Sequence, residues 1–310
     1  MLPAMTAPAP ILIAGSPTAL GGHFAGMEQG PRELRAYGLL ERLGARPGLA
    51  SAALHDHGDT ANEPGWAPDP DPRMKNRQRL IEYLPRFAAH VAATLAAADD
   101  RARLMVLGGD CTSHPAAMAG IRQARPGTRL GLAWFDAHGD FNTPETTPSG
   151  NVWGMPFAMA CGRGDQGLVG AVDGPSVREA DAGLFGGQVL DETESRMLAA
   201  SRVAQFGAGM LADEAGRAAV AGWASTVAAR IDGWYIAVDL DVLDGAGEWA
   251  VAMPEPGGLT LDTAVDTIRV FAGSGAPVVA FGATATMPRS DGDLAKTTDA
   301  VAVLAEAALA

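Results

Sequence analysis

Trp134-Phe-Asp-Ala-His-Gly-Asp140 closes an apolar run with Asp136, His138 and Asp140 at every second position. In an extended segment alternate side chains share one side, so this spacing predicts two carboxylates and an imidazole aimed at one point. Such groups do not gather at an apolar strand end unless something offsets their charge. A divalent cation does so, and the mix of oxygen and nitrogen donors suits Mn, Zn, Fe, Co or Ni. Tyr235-Ile-Ala-Val-Asp-Leu-Asp241 runs in the same way into Asp239 and Asp241, and Leu107-Gly-Gly-Asp-Cys111 ends a third apolar run with a soft donor in Cys111. Asp110, between Gly109 and Cys111, should face away from the cysteine and reads as a structural residue or as a support behind the site, such as a hydrogen bond to a ligand. Taken singly, each motif suits a turn or a helix cap about as well as a site. Together they end three strands in metal-capable side chains.

The elements that must position these residues are legible as short apolar runs bounded by Gly, Pro or Asp: Ile11 to Ala14, Leu104 to Leu107, Leu130 to Phe135, Val203 to Phe206, Tyr235 to Val238 and Val278 to Phe281. Nearly continuous apolar character over so few residues predicts parallel strands buried on both faces. Helical spacing fills the gaps, over Pro31 to Leu43, Arg79 to Ala98, Asp213 to Ile231, Leu261 to Ala272 and Thr297 to Leu309. Strands alternating with helices predict an α/β protein with a central, mainly parallel sheet and helices on both faces. Ligands of such sheets bind beyond the carboxyl ends of the strands, where all three motifs fall. Asn62 to Arg73, rich in Pro and Asp, reads as a surface loop. No repeat or linker divides the chain, so residues 1–310 are expected to form a single domain.

Composition narrows the partners. The 310 residues are 47% hydrophobic and only 19% charged, which supplies a core and argues against disorder. A formal net charge of −13 would repel a phosphate backbone or an anionic membrane, so neither nucleic acid nor membrane is an expected partner. Two cysteines, Cys111 and Cys161, do not make a disulfide framework. No basic segment followed by an apolar run opens the chain and no stretch is long enough to span a bilayer, so a cytoplasmic protein is expected.

The same residues resemble the ureohydrolase family of arginases and agmatinases over nearly the whole chain, from about Ile11 to Leu309. Asp136-Ala-His-Gly-Asp140 and Asp239-Leu-Asp-Val-Leu-Asp244 match two of its metal motifs, and Gly108-Gly-Asp-Cys111 matches a third apart from its last residue. Phe141 to Asn151 looks like the arginase substrate loop, and Gly26 to Pro31 and Pro256 to Thr260 match weaker framework signatures. The resemblance implies a three-layer α/β/α sandwich of arginase-like fold. It implies two divalent ions, usually manganese, and a homo-oligomer, a trimer or hexamer. By position, Asp136 and Asp239 would bridge both ions, His138 and Asp241 would complete one, and Asp140 and Cys111 the other. Two such ions lower the pKa of a shared water, for attack on the trigonal carbon of a small guanidino or amidine substrate. Asp140 would orient that water and shuttle its proton, so Asp140 and His138 are the catalytic candidates. Asn142, Ser149 and Asn151 stand where arginases contact a substrate α-carboxylate.

Four positions depart from the family pattern. Cys111 replaces a ligand histidine, as it does in a branch acting on hydroxyguanidines such as N-hydroxyarginine; His114, three residues on, is expected as a cap or surface residue. Trp153 replaces a loop histidine and either stacks on a planar or apolar group of a substrate or belongs to the core. Ala285 stands near the place of the carboxylate that receives the guanidinium, where Thr284 or Thr286 could offer a hydroxyl instead. Asp213, in Gly207 to Glu214, is the candidate for binding an α-amino group, or else a helix cap. The sequence therefore points to a metal-dependent amidinohydrolase acting on a modified arginine. Two readings stay open beside it: a non-hydrolytic pseudoenzyme or regulatory member, and an enzyme using the same fold on another bond type.

Overall fold

In the computed structural model of the protein, residues 8–61 and 73–310 are described. Eight strands among them form one sheet: β1 (Ile11–Ser16), β2 (Leu54–Asp59), β3 (Arg103–Gly108), β4 (Leu130–Asp136), β5 (Ala182–Gly186), β6 (Ala204–Gly207), β7 (Gly233–Asp239) and β8 (Val278–Thr284). Their order is β2-β1-β3-β8-β7-β4-β5-β6, and every pairing is parallel. The near-continuous apolar runs thus fold as their composition predicts. Successive side chains of one strand feed two different cores. Ile11 and Ile13 of β1, Met105 and Leu107 of β3, and Ile236 and Val238 of β7 face one core. Leu12 and Ala14, Leu104 and Val106, and Tyr235 and Ala237 face the other.

Helices Gly30–Ala36, Leu39–Ala45, Glu214–Ala228, Leu261–Ala272 and Asp291–Leu309 cover the first face; Arg77–Ala96, Ser113–Ala124, Pro156–Ala160 and Glu192–Ala200 contribute to the second. The three layers are those expected. Among the described residues no helix is long and apolar enough to cross a membrane. The single helix expected over Pro31 to Leu43 is two, because Gly38 takes a left-handed conformation between them (φ 80°) that breaks the helical path.

Two strands escaped the apolar signal. β2 is an edge strand, Leu-His-Asp-His-Gly-Asp, and five of its six residues are not fully buried hydrophobes but polar side chains or glycine; an edge strand needs no apolar run because one side of it has no partner to cover it. β5, Ala-Gly-Leu-Phe-Gly, is fully buried but too short and too glycine-rich to register. Asn62 to Arg73, expected as a loop, lies outside the described residues except for Arg73.

From β3 the chain passes through helix Ser113–Ala124 to β4, leaving two places that β7 and β8 later fill. The tips of β3, β8, β7, β4 and β5 thereby lie side by side at one edge, which is where an open parallel sheet binds ligands. Beneath them Phe271 is fully buried and meets Phe135, Phe185, Trp223 and Trp234 at ring-centroid distances of 4.9–6.3 Å. Phe271→Ala should cost about 3–5 kcal/mol of stability, measured by urea unfolding; a loss below about 1 kcal/mol would show that this cluster does not support the sheet.

Candidate metal centre

β4 ends at Asp136, so strand alternation carries only the first of its three candidate ligands. The backbone turns at once. Asp136 Oδ1 accepts from the His138 backbone N–H at 2.7 Å, which folds the chain so that the imidazole returns beside the carboxylate. His138 Nδ1 lies 3.4 Å from Asp136 Oδ1 and 3.1 Å from Asp241 Oδ2. Asp140 then takes a left-handed conformation (φ 49°), costly for a residue with a side chain. Its carbonyl holds this turn by accepting from Phe157 and Ala158 at the start of helix Pro156–Ala160. From β7, Asp239 Oδ1 accepts from Asp241 N–H at 2.9 Å and Asp241 Oδ1 accepts from Ala137 N–H at 3.1 Å, tying the two motifs together. From β3, the Cys111 thiol donates to Asp239 Oδ2 at 2.7 Å.

Two sets of donor atoms result. Cys111, Asp136 and Asp239 form one; Asp136, His138 and Asp241 form the other; within each, the ligand atoms lie no more than 4.8 Å apart. The sets share Asp136, and they join oxygen donors to one sulfur in the first and one nitrogen in the second. Asp140 belongs to neither set, but it borders the same cavity and its buried Oδ2 has no hydrogen-bond partner.

Without a cation this arrangement opposes itself. Burial, then the charges of Asp241 and Asp136, push Asp239 well above the carboxylate range. Burial, then Asp136 and Asp239, do the same to Asp140, and burial lifts Asp136 to about 6. Burial pushes the Cys111 thiol up, and Asp239 beside it pushes it further. For His138 burial acts downward, but the adjacent Asp136 and Asp241 outweigh it and hold the imidazole well above its usual value. Protons thus take the place of the positive charge the donors need. A divalent ion in each set fits this chemistry, because every displaced proton leaves a stronger ligand.

Above the cluster opens a cavity of about 340 Å³, lined among others by Cys111, His138, Asp140, Asn142, Ser149, Asn151, Trp153, Asp239, Asp241 and Ala285. Trp153 packs with His23 and Phe24 at centroid distances of 5.3 and 5.6 Å. The loop amides are tied down: Asn142 donates to Asp191 at 3.0 Å, Asn151 donates to His23 at 2.7 Å and accepts from Lys75 at 2.9 Å. Ser149 Oγ accepts from Asn151 N–H at 3.2 Å.

Three expectations are corrected. Asp213 does not border the cavity; its carboxylate caps helix Glu214–Ala228 by accepting from Gly216 N–H at 2.7 Å. Thr286 is buried away from the cavity with its hydroxyl unpartnered, since the chain beyond Ala285 turns to bridge Val251; it is Thr284 whose hydroxyl approaches Cys111, at 3.3 Å. His114 is neither cap nor surface residue but fully buried. Asp110 takes a structural role, accepting from Gly21 N–H and Thr112 N–H at 2.8 and 3.0 Å, and no hydrogen bond from it to a ligand side chain is seen among the described residues.

The acids missed in the sequence are Asp191, Glu194 and Glu255, all bordering the cavity. The first two follow β5, the unnoticed strand, in Leu190-Asp-Glu-Thr-Glu194. They form a reciprocal cap at the start of helix Glu192–Ala200, an Asp-x-x-Glu spacing that the sequence does show. Glu194 also accepts from Phe141 N–H at 2.8 Å and packs so closely under Gly139 that a Cβ there would fall 2.5 Å from its carboxyl carbon. Glu255 reaches within 3.7 Å of His138 Nε2.

The fold and this centre define an α/β protein with a candidate two-metal site at the carboxyl edge of its sheet. The sequence profile described as the Arginase family matches residues 9–310. The arginase of Bacillus caldovelox is 33% identical over 267 residues, 81% of this chain and 82% of that one. The crystal structure of the Bacillus caldovelox arginase superposes with a TM-score of 0.83 at 27% identity, covering 96% of this chain and 98% of the other. The formimidoylglutamase of Bacillus subtilis shares the fold, with a TM-score of 0.75 at 18% identity over 98% of this chain and 87% of the other. The chain belongs to the arginase family, and it is a metal-dependent amidinohydrolase of the ureohydrolase type.

Burial raises Glu194 from the usual 4.5 to about 7. A carboxyl raised on folding stabilises the protein in acid, and that contribution is lost as pH climbs through the folded value. The ion-free protein should therefore lose thermal stability between about pH 4.5 and 7, and Glu194→Gln should flatten that slope. An unchanged slope in Glu194→Gln, followed by melting at stepped pH, would place this loss of stability with rising pH elsewhere.

Proposed function

We propose that the protein holds two divalent ions, manganese first among them, and hydrolyses a C–N bond of a guanidino or hydroxyguanidino compound related to a modified arginine. The observation that carries this reading is the pair of ligand sets sharing Asp136 at one end of a cavity whose charged lining is acidic. Among the described residues that line it there is no Lys or Arg. Asp191, Glu194 and Glu255 add carboxylates that are outside both ligand sets, so a substrate carrying positive charge is favoured electrostatically.

Cys111, Asp136, His138, Asp140, Asp239 and Asp241 would hold the ions, Asp140 from outside the two tight donor sets. Bound there, a divalent pair supplies an activated water at neutral pH and polarises the reacting carbon. Asp140 borders the reaction space with one carboxylate oxygen unpartnered. That oxygen can orient the water, accept its proton and return it to the departing nitrogen. In balance, the water oxygen bonds to the guanidino carbon, the bond from that carbon to the chain nitrogen breaks, and the amine leaves protonated beside urea or a urea analogue. Asn142, Ser149 and Asn151 offer neutral donors suited to a carboxylate. Asp191 and Glu194 offer anions suited to an amine. These are the two ends of an amino acid. Ala285 at the tip of β8 leaves that position without the carboxylate a guanidinium would use, which weighs less on the less basic hydroxyguanidine. Trp153 and His23, backed by Phe24, wall the cavity with aromatic surface for the carbon chain.

Release of urea or hydroxyurea should be detected from a panel of arginine, N-hydroxyarginine and decarboxylated guanidino compounds, with the Mn protein most active among the Mn, Zn, Fe, Co and Ni forms. No turnover with any pair would overturn the reading. Asp140→Asn should lower kcat at least about 100-fold while two ions still bind. Cys111→His should keep both ions and move preference toward arginine. Identical ion affinity and kinetics in Cys111→His would show that the thiol is no ligand.

A further inference from the structure

Behind Cys111, on the side away from the cavity, a line of polar side chains runs through an otherwise apolar core. Cys111 Sγ lies 3.3 Å from Thr284 Oγ1. Thr284 Oγ1 lies 3.2 Å from His114 Nε2, and His114 Nδ1 lies 3.1 Å from the Tyr235 hydroxyl. Thr284, His114 and Tyr235 are fully buried and Cys111 nearly so. The four residues come from four elements: the turn after β3, the tip of β8, helix Ser113–Ala124 and strand β7.

The surroundings are shaped for this line. At Gly282 of β8 a Cβ would fall 2.7 Å from the Tyr235 oxygen and 2.8 Å from His114 Nδ1, so only a glycine leaves room for their hydrogen bond. Trp134 stands edge-on to the His114 ring at 5.1 Å and donates its indole N–H to Asp136 Oδ2 at 2.9 Å. The same second layer therefore touches both Cys111 and the carboxylate that the two ligand sets share.

We propose that His114, through Thr284, positions the Cys111 sulfur as a metal ligand and supplies the hydrogen bond that a thiolate needs among so many carboxylates. The inference rests on the ion-holding role of Cys111 proposed above. Counting donors fixes the direction of the chain. The one proton of the Thr284 hydroxyl has two acceptors in reach, the Val238 carbonyl at 3.4 Å and the sulfur at 3.3 Å; a ligating thiolate only accepts and carries the charge, so the hydroxyl donates to it. Thr284 then accepts from His114 Nε2–H. A neutral imidazole carrying its proton on Nε2 accepts at Nδ1, where the Tyr235 hydroxyl donates. Each group is used once as donor and once as acceptor, apart from the two ends. Burial keeps His114 in that neutral form, with a pKa near 3. A thiolate at this place adds negative charge beside Asp239 that a neutral histidine ligand would not, and a directed hydroxyl offsets part of it. Neither Thr284 nor His114 touches substrate or ion in this account; both are positioning residues.

The cobalt-substituted protein tests this without relying on turnover. A thiolate bound to Co(II) gives a sulfur-to-metal charge-transfer band in the near ultraviolet, and a hydrogen bond to the sulfur raises its energy. Thr284→Val keeps the volume and removes the hydroxyl. It should shift the band to lower energy and weaken one of the two ions about 10–100-fold, the usual range for losing an outer partner of a ligand. Thr284→Ser should keep band and affinity. His114→Phe should move the band in the same direction as Thr284→Val, and His114→Gln, whose amide still donates toward Thr284, should recover part of the shift. A folded Thr284→Val protein with unchanged band and ion affinity would overturn the proposal, as would a band that moves in Thr284→Val but not in His114→Phe. Absence of the band from the parent cobalt protein would also overturn it. Urea release by that same preparation would show that the hydrolase reading survives.

Discussion

Negative charge crowded into a buried space is the constraint around which the molecule is arranged. Asp136, Asp140, Asp239 and Asp241 are each almost inaccessible to solvent, and each ionised form raises the cost of the next. A charge so placed is tolerated only when paired or neutralised. In the ion-free protein the neutralising species are protons, favoured on Asp136, Asp140 and Asp239 by burial and repulsion between carboxylates, and on His138 by the attraction of the carboxylates beside it. Divalent cations satisfy the same demand with donors already in place: the Trp134 indole, the His138 and Asp241 backbone N–H groups and the Ala137 N–H fix the carboxylate planes before any ion arrives. The donor sets are thus preorganised by hydrogen bonds that need no ion.

The parallel sheet makes this crowding possible. Each strand tip delivers one short polar segment to the same edge, and the flanking helices seal both faces so that the tips cannot splay. The central position of β8 is decisive. It lies between β3, which carries Cys111, and β7, which carries Asp239, yet Cys111 and Asp239 still meet across it. They can do so because the tip of β8 brings small side chains, Thr284 and Ala285, the latter in a left-handed turn (φ 63°).

How much of this could be read from the chain alone follows from what each residue's role depends on. β1, β3, β4, β7 and β8 were visible because burial on both faces imposes unbroken apolar runs. The three ligand motifs were visible because they sit immediately after those runs. β5 was not, since glycine and alanine satisfy a tightly packed strand without announcing it. Without β5, Asp191 and Glu194 have no strand tip to belong to in the sequence, whereas Asp213 stands in a segment that resembles the family's amine-binding one and yet caps a helix. Glu255 was hidden for a different reason: it stands in a loop flanked by Pro254 and Pro256, and only the fold brings that loop to His138. His114 looked like a cap because it follows Asp-Cys-Thr-Ser. Its burial depends on Gly282 and Tyr235, distant in sequence, and no local pattern encodes such a contact.

The central claim, that side chains from three strand tips trap two cations side by side, is open to direct observation. A crystal structure of the protein soaked in manganese, with anomalous scattering used to locate the metal, should show two peaks flanking the Asp136 carboxylate, one beside Cys111 and Asp239 and one beside His138 and Asp241. Full metal loading with no peak in this cluster, or a single peak lying away from Asp136, would contradict the account.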